Sequence, residues 1–182
     1  MTGLTTINGT FNIDPSHTRL GWTARHAMVT KVRGVFDEVE GTASGDGANP
    51  ESAQIDVTIQ AASISTGNAD RDNHVRSADF LDVEQFPTLT FKSTKVEVED
   101  EDTLKVTGDL TIKGQTQQVT IPFDFNGQAV DPFGNTRIGF EGKTKIKRKD
   151  FGLTWNAALE TGGVLVSDDV VLELEISAIK QA

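Results

Sequence analysis

Three histidines, at positions 17, 26 and 74, are the side chains best suited to acid–base or metal chemistry in this chain, which has no cysteine. They show no HxH or HExxH spacing, so a metal site would require the fold to bring all three together. Without cysteine there is no thiol nucleophile, no Cys-based zinc site and no disulfide. A G-x-S-x-G turn and a phosphate-binding loop are also missing from the sequence. Carboxylate pairs such as Asp168-Asp169 fall in turns of a chain with 27 acidic residues, and nothing marks one pair as a general acid and base. We therefore expect a chain that is not an enzyme and holds neither metal nor cofactor.

The remaining polar candidates suit binding better than catalysis. Trp22 and His26 fall on the same face of an alternating segment with Leu20 and Ala24, where they would supply a bulky wall and a polar handle, or be ordinary interior residues with hydrogen-bond partners. Arg71 and His74 are three residues apart on an expected helix and share a face, with Arg76 pointing elsewhere. They would either meet an anionic head group or pair with Asp70, Asp72 and Asp79 to fix the helix, and the structural role is favoured. Phe80, Leu81 and Phe86 are expected to form an apolar plug beneath it. The run Lys143 to Lys149 holds five of the 17 basic residues, and alternation makes it a solvated strand face.

Period-2 alternation supplies the elements that position these residues. It puts Ile55, Val57 and Ile59 on one face; likewise Leu104, Val106, Leu110 and Ile112; Val119, Ile121, Phe123 and Phe125; Ile138, Phe140 and Ile146; and Val170, Leu172, Leu174 and Ile176. Shorter runs at 9–13, 32–40 and around Leu89 and Phe91 bring the expected total to eight or nine strands. Turns are marked at Lys113-Gly114-Gln115, Asp131 to Asn135 and Thr161-Gly162-Gly163, with an acidic hairpin tip at Glu99 to Asp102. Pro122 cannot donate to a ladder and should lie at a bulge or an edge. The segment 68–86 breaks the alternation and predicts a helix over about 71–81, capped by Asn68 or Asp70, with a weaker helical turn near 27–31.

The chain has 182 residues, 36% of them hydrophobic, which suits one all-β domain over 1–182 with its core at about 9–180. A net charge of −10 disfavours nucleic acid and a lasting hold on anionic membranes. The first residues show no basic start followed by an apolar run, which predicts a cytoplasmic chain. Antiparallel strands with one dry face fit either a two-sheet sandwich or a closed barrel. Strands of nine to eleven residues, longer than the typical ~5–6, permit a lumen wide enough for one slender ligand.

Three runs, Phe11 to Phe36, Arg71 to Thr94 and Leu104 to Phe125, resemble the YceI-like family of polyisoprenoid-binding proteins. The most specific is His74-Val-Arg-Ser-Ala-Asp-Phe80 followed by Phe86-Pro-Thr and Thr90-Phe-Lys-Ser93. Asp131-Pro-Phe-Gly134, Gly139-Phe-Glu-Gly142 and Lys149-Asp-Phe-Gly152 fit as well. The resemblance implies an extended, lipocalin-like, eight-stranded antiparallel barrel that carries or stores a long isoprenoid, such as an isoprenoid quinone, in its lumen. It also implies that relatives with a leader are periplasmic or secreted. The implied ligand-facing residues are Trp22, Ala24, His26, Phe36, Ile55, Val57, Ile59, Phe91, Leu110, Phe123, Phe125, Phe140, Leu172 and Leu174. Head-group candidates are His26, Arg71 and His74. Transient membrane contact and a homodimer stay open. The rival readings are an interaction or stress-response module with a filled barrel, and an isoprenoid-modifying enzyme. At ~0.8 kcal/mol per buried CH₂, even eight isoprene units would nominally exceed the ~18–21 kcal/mol ceiling of non-covalent binding. The offsets are chain ordering and the favourable membrane alternative, so lumen shape and length should set affinity.

Overall fold

The alternating segments become antiparallel strands in a computed structural model that describes residues 3–157, 159 and 165–182. In chain order they are β1 (Gly9–Ile13), β2 (Arg19–His26), β3 (Thr30–Phe36), β4 (Val39–Gly45), β5 (Gln54–Gln60), β6 (Ile64–Ser65), β7 (Thr88–Val98), β8 (Thr103–Ile112), β9 (Gln115–Val130), β10 (Thr136–Lys147) and β11 (Asp169–Lys180). One helix, α1 (Ala69–Arg76), lies between β6 and β7. The turn expected at Thr161-Gly162-Gly163 lies outside the described residues.

Eight strand positions make a closed barrel, in the order β1-β4-β5-β7-β8-β9-β10-β11 and back to β1. The count of labelled strands is higher because two positions are interrupted. Phe11 pairs with Lys180 and Ile13 with Ala178, whereas Arg19 pairs with Glu175 and Thr23 with Val171, so β1 and β2 are successive halves of one position along β11. Ser177 bridges the interruption, its carbonyl accepting from the Asp14 amide at 2.8 Å. Similarly β3 and β4 are joined by a bend at Asp37 and Glu38. Along β3, β2 is paired throughout, but on its other edge only Val35 and Phe36 are paired, with the short β6, and below them the wall is completed by α1 and the segments that follow. Closure thus leaves one sealed end and one irregular end.

Alternation decides what faces inward. Leu104, Val106, Leu110, Ile121, Ile138 and Ala178 are all buried, with Phe11 and Phe151 at 1% exposure. Leu4 is also buried and donates its amide to the Glu101 carbonyl at 2.8 Å, which fastens the N-terminal turn over the sealed end. Pro122 pairs with Lys105 on β8, while the β9–β10 register stops at the adjacent Phe123. Its missing N–H therefore falls where the second ladder has ended, which agrees with an edge-like position.

Two expectations need correction. The helix is shorter and earlier than 71–81: Asn68 caps it by accepting from the Arg71 amide at 3.0 Å, and the extended backbone of Ser77 ends it. Phe80 and Leu81 belong to the turns beyond, before Asp82 adopts a left-handed conformation. The segment 27–31 is no helical turn but the tip of the β2–β3 hairpin. His26 pairs with Thr30, and both Ala27 (φ 51°) and Met28 (φ 67°) are left-handed.

An ion network closes the sealed end. Arg137 donates to Asp14 at 2.6 Å and to Asp131 at 2.7 Å, tying the β1–β2 interruption to the β9–β10 turn. The Arg137 hydrogen bond, helped by Ser16 and His17 against the opposing effect of burial, holds the Asp14 carboxyl far below the usual carboxylate range. For Asp131 burial acts upward, but bonds from Arg137, Asn135 and the Phe133 amide outweigh it and leave a pKa of about 2. Depressed carboxylates stabilise the fold above their unfolded value near 4, and that contribution is lost as pH falls through the folded values. Arg137→Gln is therefore expected to move the acid-unfolding midpoint to higher pH, followed by circular dichroism. An unchanged midpoint would remove the network from this role.

Candidate functional site

The inward faces do not fill the barrel. A distal cavity of about 210 Å³ lies toward the sealed end, lined by Phe11, Ile55, Val57, Phe91, Val106, Phe123 and Phe140 among others. A larger chamber of about 540 Å³ opens at the irregular end, lined by Trp22, Ala24, Phe36, Val75, Phe80, Leu81, Trp155 and neighbours. Leu20, Ile59, Leu110, Leu172 and Leu174 face both spaces and form a waist between them. Basic and imidazole side chains gather at the outer chamber, where His26, Arg71, His74 and Arg148 reach its lining with Asp70, whereas the distal cavity is bordered by Thr42, Ser44 and Asp46 but by no Lys, Arg or His. A site so built can hold a long apolar chain by shape and burial, and it offers cationic and imidazole partners at one end alone.

Thirteen of the fourteen ligand-facing candidates line one or both cavities. The exception is Phe125, whose buried ring packs against Phe140 with centroids 5.1 Å apart. The β9–β10 register shifts beside it, so Asn126 bulges and the strand bends, closing Phe125 into the wall. Trp22 supplies a wall as expected, yet its buried Nε1 has no acceptor among the described residues. Its indole lies over Gly34, where a Cβ would come within 2.4 Å of the ring. Gly34→Ala is thus expected to push the indole into the outer chamber and shift the tryptophan emission. Emission and melting temperature equal to the parent's would show that the ring yields freely.

The head-group candidates meet at one chamber, but each is differently held. His26 is exposed at the rim, where its backbone bridges to Val166. Arg71 donates from Nε to Thr66 Oγ1 at 2.8 Å and from Nη2 to the Thr66 carbonyl at 3.0 Å, rather than to an acid. His74 pairs with Asp79 at 3.0 Å and makes edge contacts with Phe80 and Trp155. The anchors of the helix are instead Asp72, buried on the Thr66 amide and hydroxyl, and Arg76, which donates to the carbonyls of Ala62 and Ile64. His17 is bonded to Asp14 by the sealed end. The expected plug is formed by Phe80 and Leu81, while Phe86 packs on Gly114 in the β8–β9 turn.

Arg148 departs most from expectation. Assigned to a solvated basic face, it is 3% exposed and donates to the carbonyls of Leu153, Trp155, Val166 and Ser167 at 2.6–3.2 Å. Burial lowers its pKa, opposed by the Asp168 carboxylate 3.9 Å away. This guanidinium gathers the segment after β10 against the outer chamber and places Trp155 there. The signal was present in the parity: Thr144 and Ile146 face inward on β10, and position 148, one residue past its end, continues that alternation. Lys145 and Lys147 do point outward, to Asp169.

Among known proteins, the model of the YceI-like domain matches residues 11–178. A UPF0312 protein of Ectopseudomonas mendocina is 41% identical over 165 residues, covering 91% of this chain and 83% of its own. Protein YceI of Salmonella newport is 38% identical over 165 residues, again 91% and 83%. In structure, the chain is similar to the Campylobacter jejuni YCEI protein (TM-score 0.75, 33% identity, 87% and 90% of the two chains). It also shares its fold with Burkholderia cenocepacia BcnA (TM-score 0.80, 24% identity, 91% and 98%). A polyisoprenoid binding domain from Saccharophagus degradans shares it too (TM-score 0.73, 17% identity, 94% and 98%). A family-model match over residues 11–178, together with relatives about 40% identical over nine-tenths of the chain, makes this chain a member of the YceI-like family.

Proposed function

We propose that this protein is a non-enzymatic binding protein that stores or transports a long-chain isoprenoid, or a similar amphipathic lipid, in its lumen. The observation that carries this reading is the pair of largely apolar chambers joined at a leucine-rich waist, with basic and imidazole side chains at the outer end only. A chain threaded through the waist would bury its tail in the distal cavity and leave its head near His26, Arg71 and His74. The relative from Saccharophagus degradans, described as a polyisoprenoid binding domain, supports the same ligand class. Room left inside the barrel argues against a module with a filled interior. The test is mass spectrometry of lipid extracted from protein purified without detergent, followed by uptake of added polyprenols. A lumen that is empty after purification and takes up none of them would overturn the reading.

A further inference from the structure

We infer that the β2–β3 hairpin is a docking tip that sets the open end of the barrel against an anionic lipid bilayer. Two apolar side chains at the tip face solvent, Met28 at 52% and Val29 at 77% exposure. Behind them, on the outer face of the hairpin, stand three cations. Arg25 is directly opposite Lys31, and Arg33 follows two residues on. Like charges opposed across two strands are unfavourable, and among the described residues no carboxylate lies within ion-pairing distance of any of the three. The turn itself is strained, since Ala27 and Met28 both take left-handed conformations that glycine or asparagine would adopt more easily. Local rules of charge pairing and turn chemistry are both broken at one place, which marks a site shaped for something other than stability.

The combination selects the partner. Apolar side chains at a tip, flanked by cations, match the layering of an acyl interior beneath anionic head groups. His26, at the base of the tip, lines the outer chamber, so whatever the tip enters lies beside the opening. A second exposed apolar tip, Val130 and Phe133 at 70% and 88%, supplies the contrast. It stands at the opposite end of β10 beside Asp131, close to the Arg137 network and far from the chamber mouth. The net charge of −10 does not oppose docking by the mouth. The 12 residues of β10 span roughly 36 Å at ~3.3 Å each, several times the Debye length of about 8 Å. Acids at the sealed end are therefore screened from a bilayer at the mouth. Of the acids at the mouth, Asp70 and Asp79 lie on the α1 side, and Asp168 and Asp169 at the start of β11 are engaged by Lys145, Lys147, Arg148 and Lys149, which would orient the contact toward β2 and β3.

Sedimentation with vesicles tests this, using phosphatidylcholine alone or mixed with phosphatidylglycerol. The protein is expected to bind the mixed vesicles and to be released by added salt. Replacing all three cations (R25Q, K31Q and R33Q together) should weaken partitioning by about fivefold per charge removed. Met28→Ser with Val29→Ser should weaken it as well, while Phe133→Ser should leave it unchanged. Three results would overturn the inference: no binding to the anionic vesicles at low ionic strength, binding indifferent to both hairpin variants, or capture of a protein through the hairpin with no vesicle binding. Only the inference that docking delivers lipid rests on the proposed lumen ligand. If vesicles bind through the hairpin but no polyprenol is taken up, the docking surface stands and the carrier function falls.

Discussion

Replacing Ala24 with tryptophan is expected to lower polyprenol uptake at least about tenfold, a change of about 1.4 kcal/mol, while leaving the barrel folded. Ala24 is inward on β2 between Trp22 and His26, and its side chain faces the outer chamber. An indole there has open space to enter, so the usual overpacking cost of about 1–3 kcal/mol should be at its lower end. Ala61 is the control, because it is 1% exposed and lines neither cavity. Ala61→Trp has no space to occupy and should destabilise the fold more than Ala24→Trp. Uptake by fluorescence competition and unfolding in urea separate the two effects. Undiminished uptake in the Ala24 variant would mean that the ligand does not pass through the outer chamber.

Arg148→Met should cost about 3 kcal/mol of stability, seen as a fall in melting temperature of about 6–12 °C. Methionine replaces much of the apolar stem but none of the donors, so four carbonyls lose the partner that converges on them. Lysine would keep the charge without the planar fork and should recover only part of the loss. The damage should be concentrated in the segment after β10. Trp155 is held against His74 and Phe80, with ring centroids 4.7 and 5.3 Å away, by a backbone that Arg148 organises. Its emission should shift toward the red before the barrel unfolds. Stability within about 0.5 kcal/mol of the parent, the range of ordinary surface changes, together with unshifted emission would show that Arg148 is dispensable.

The wall of the barrel was legible because inward and outward positions differ by single residues along a strand. Ile55, Val57 and Ile59 on β5, and Leu172 and Leu174 on β11, could be assigned from alternation alone, and each now faces a cavity. Phe125 followed the same rule and still left the lumen, because a bulge at Asn126 changes strand direction without changing the pattern of apolar residues. Arg148 was misread for a related reason. A cluster of basic residues suggests solvent, yet parity puts position 148 inside, and the energy of burying it is recovered only by carbonyls five to nineteen residues later in the chain.

The helix was visible as a break in alternation, but its ends were not. Ser77 stops it through hydrogen bonding to the His74 carbonyl at 2.6 Å, a local effect that a run of helix-compatible residues through Leu81 conceals. Trp155 had no periodic signal, since it lies beyond the last turn after β10 and is positioned by Arg148.

By itself the sequence determined which side chains of each strand face away from water, and its resemblance over 11–178 determined the family. The tertiary structure decided which of those inward side chains leave space between them. The reason is geometric: alternation is a property of a single strand, whereas a cavity depends on the circumference of the closed ring, on the interruptions at Asp14 and Asp37, and on whether opposing side chains meet. Leu20 and Leu172, neighbours on β2 and β11, share the waist with Leu110 of β8 and Ile59 of β5 from other parts of the ring, and the two spaces beside it arise from the same closure.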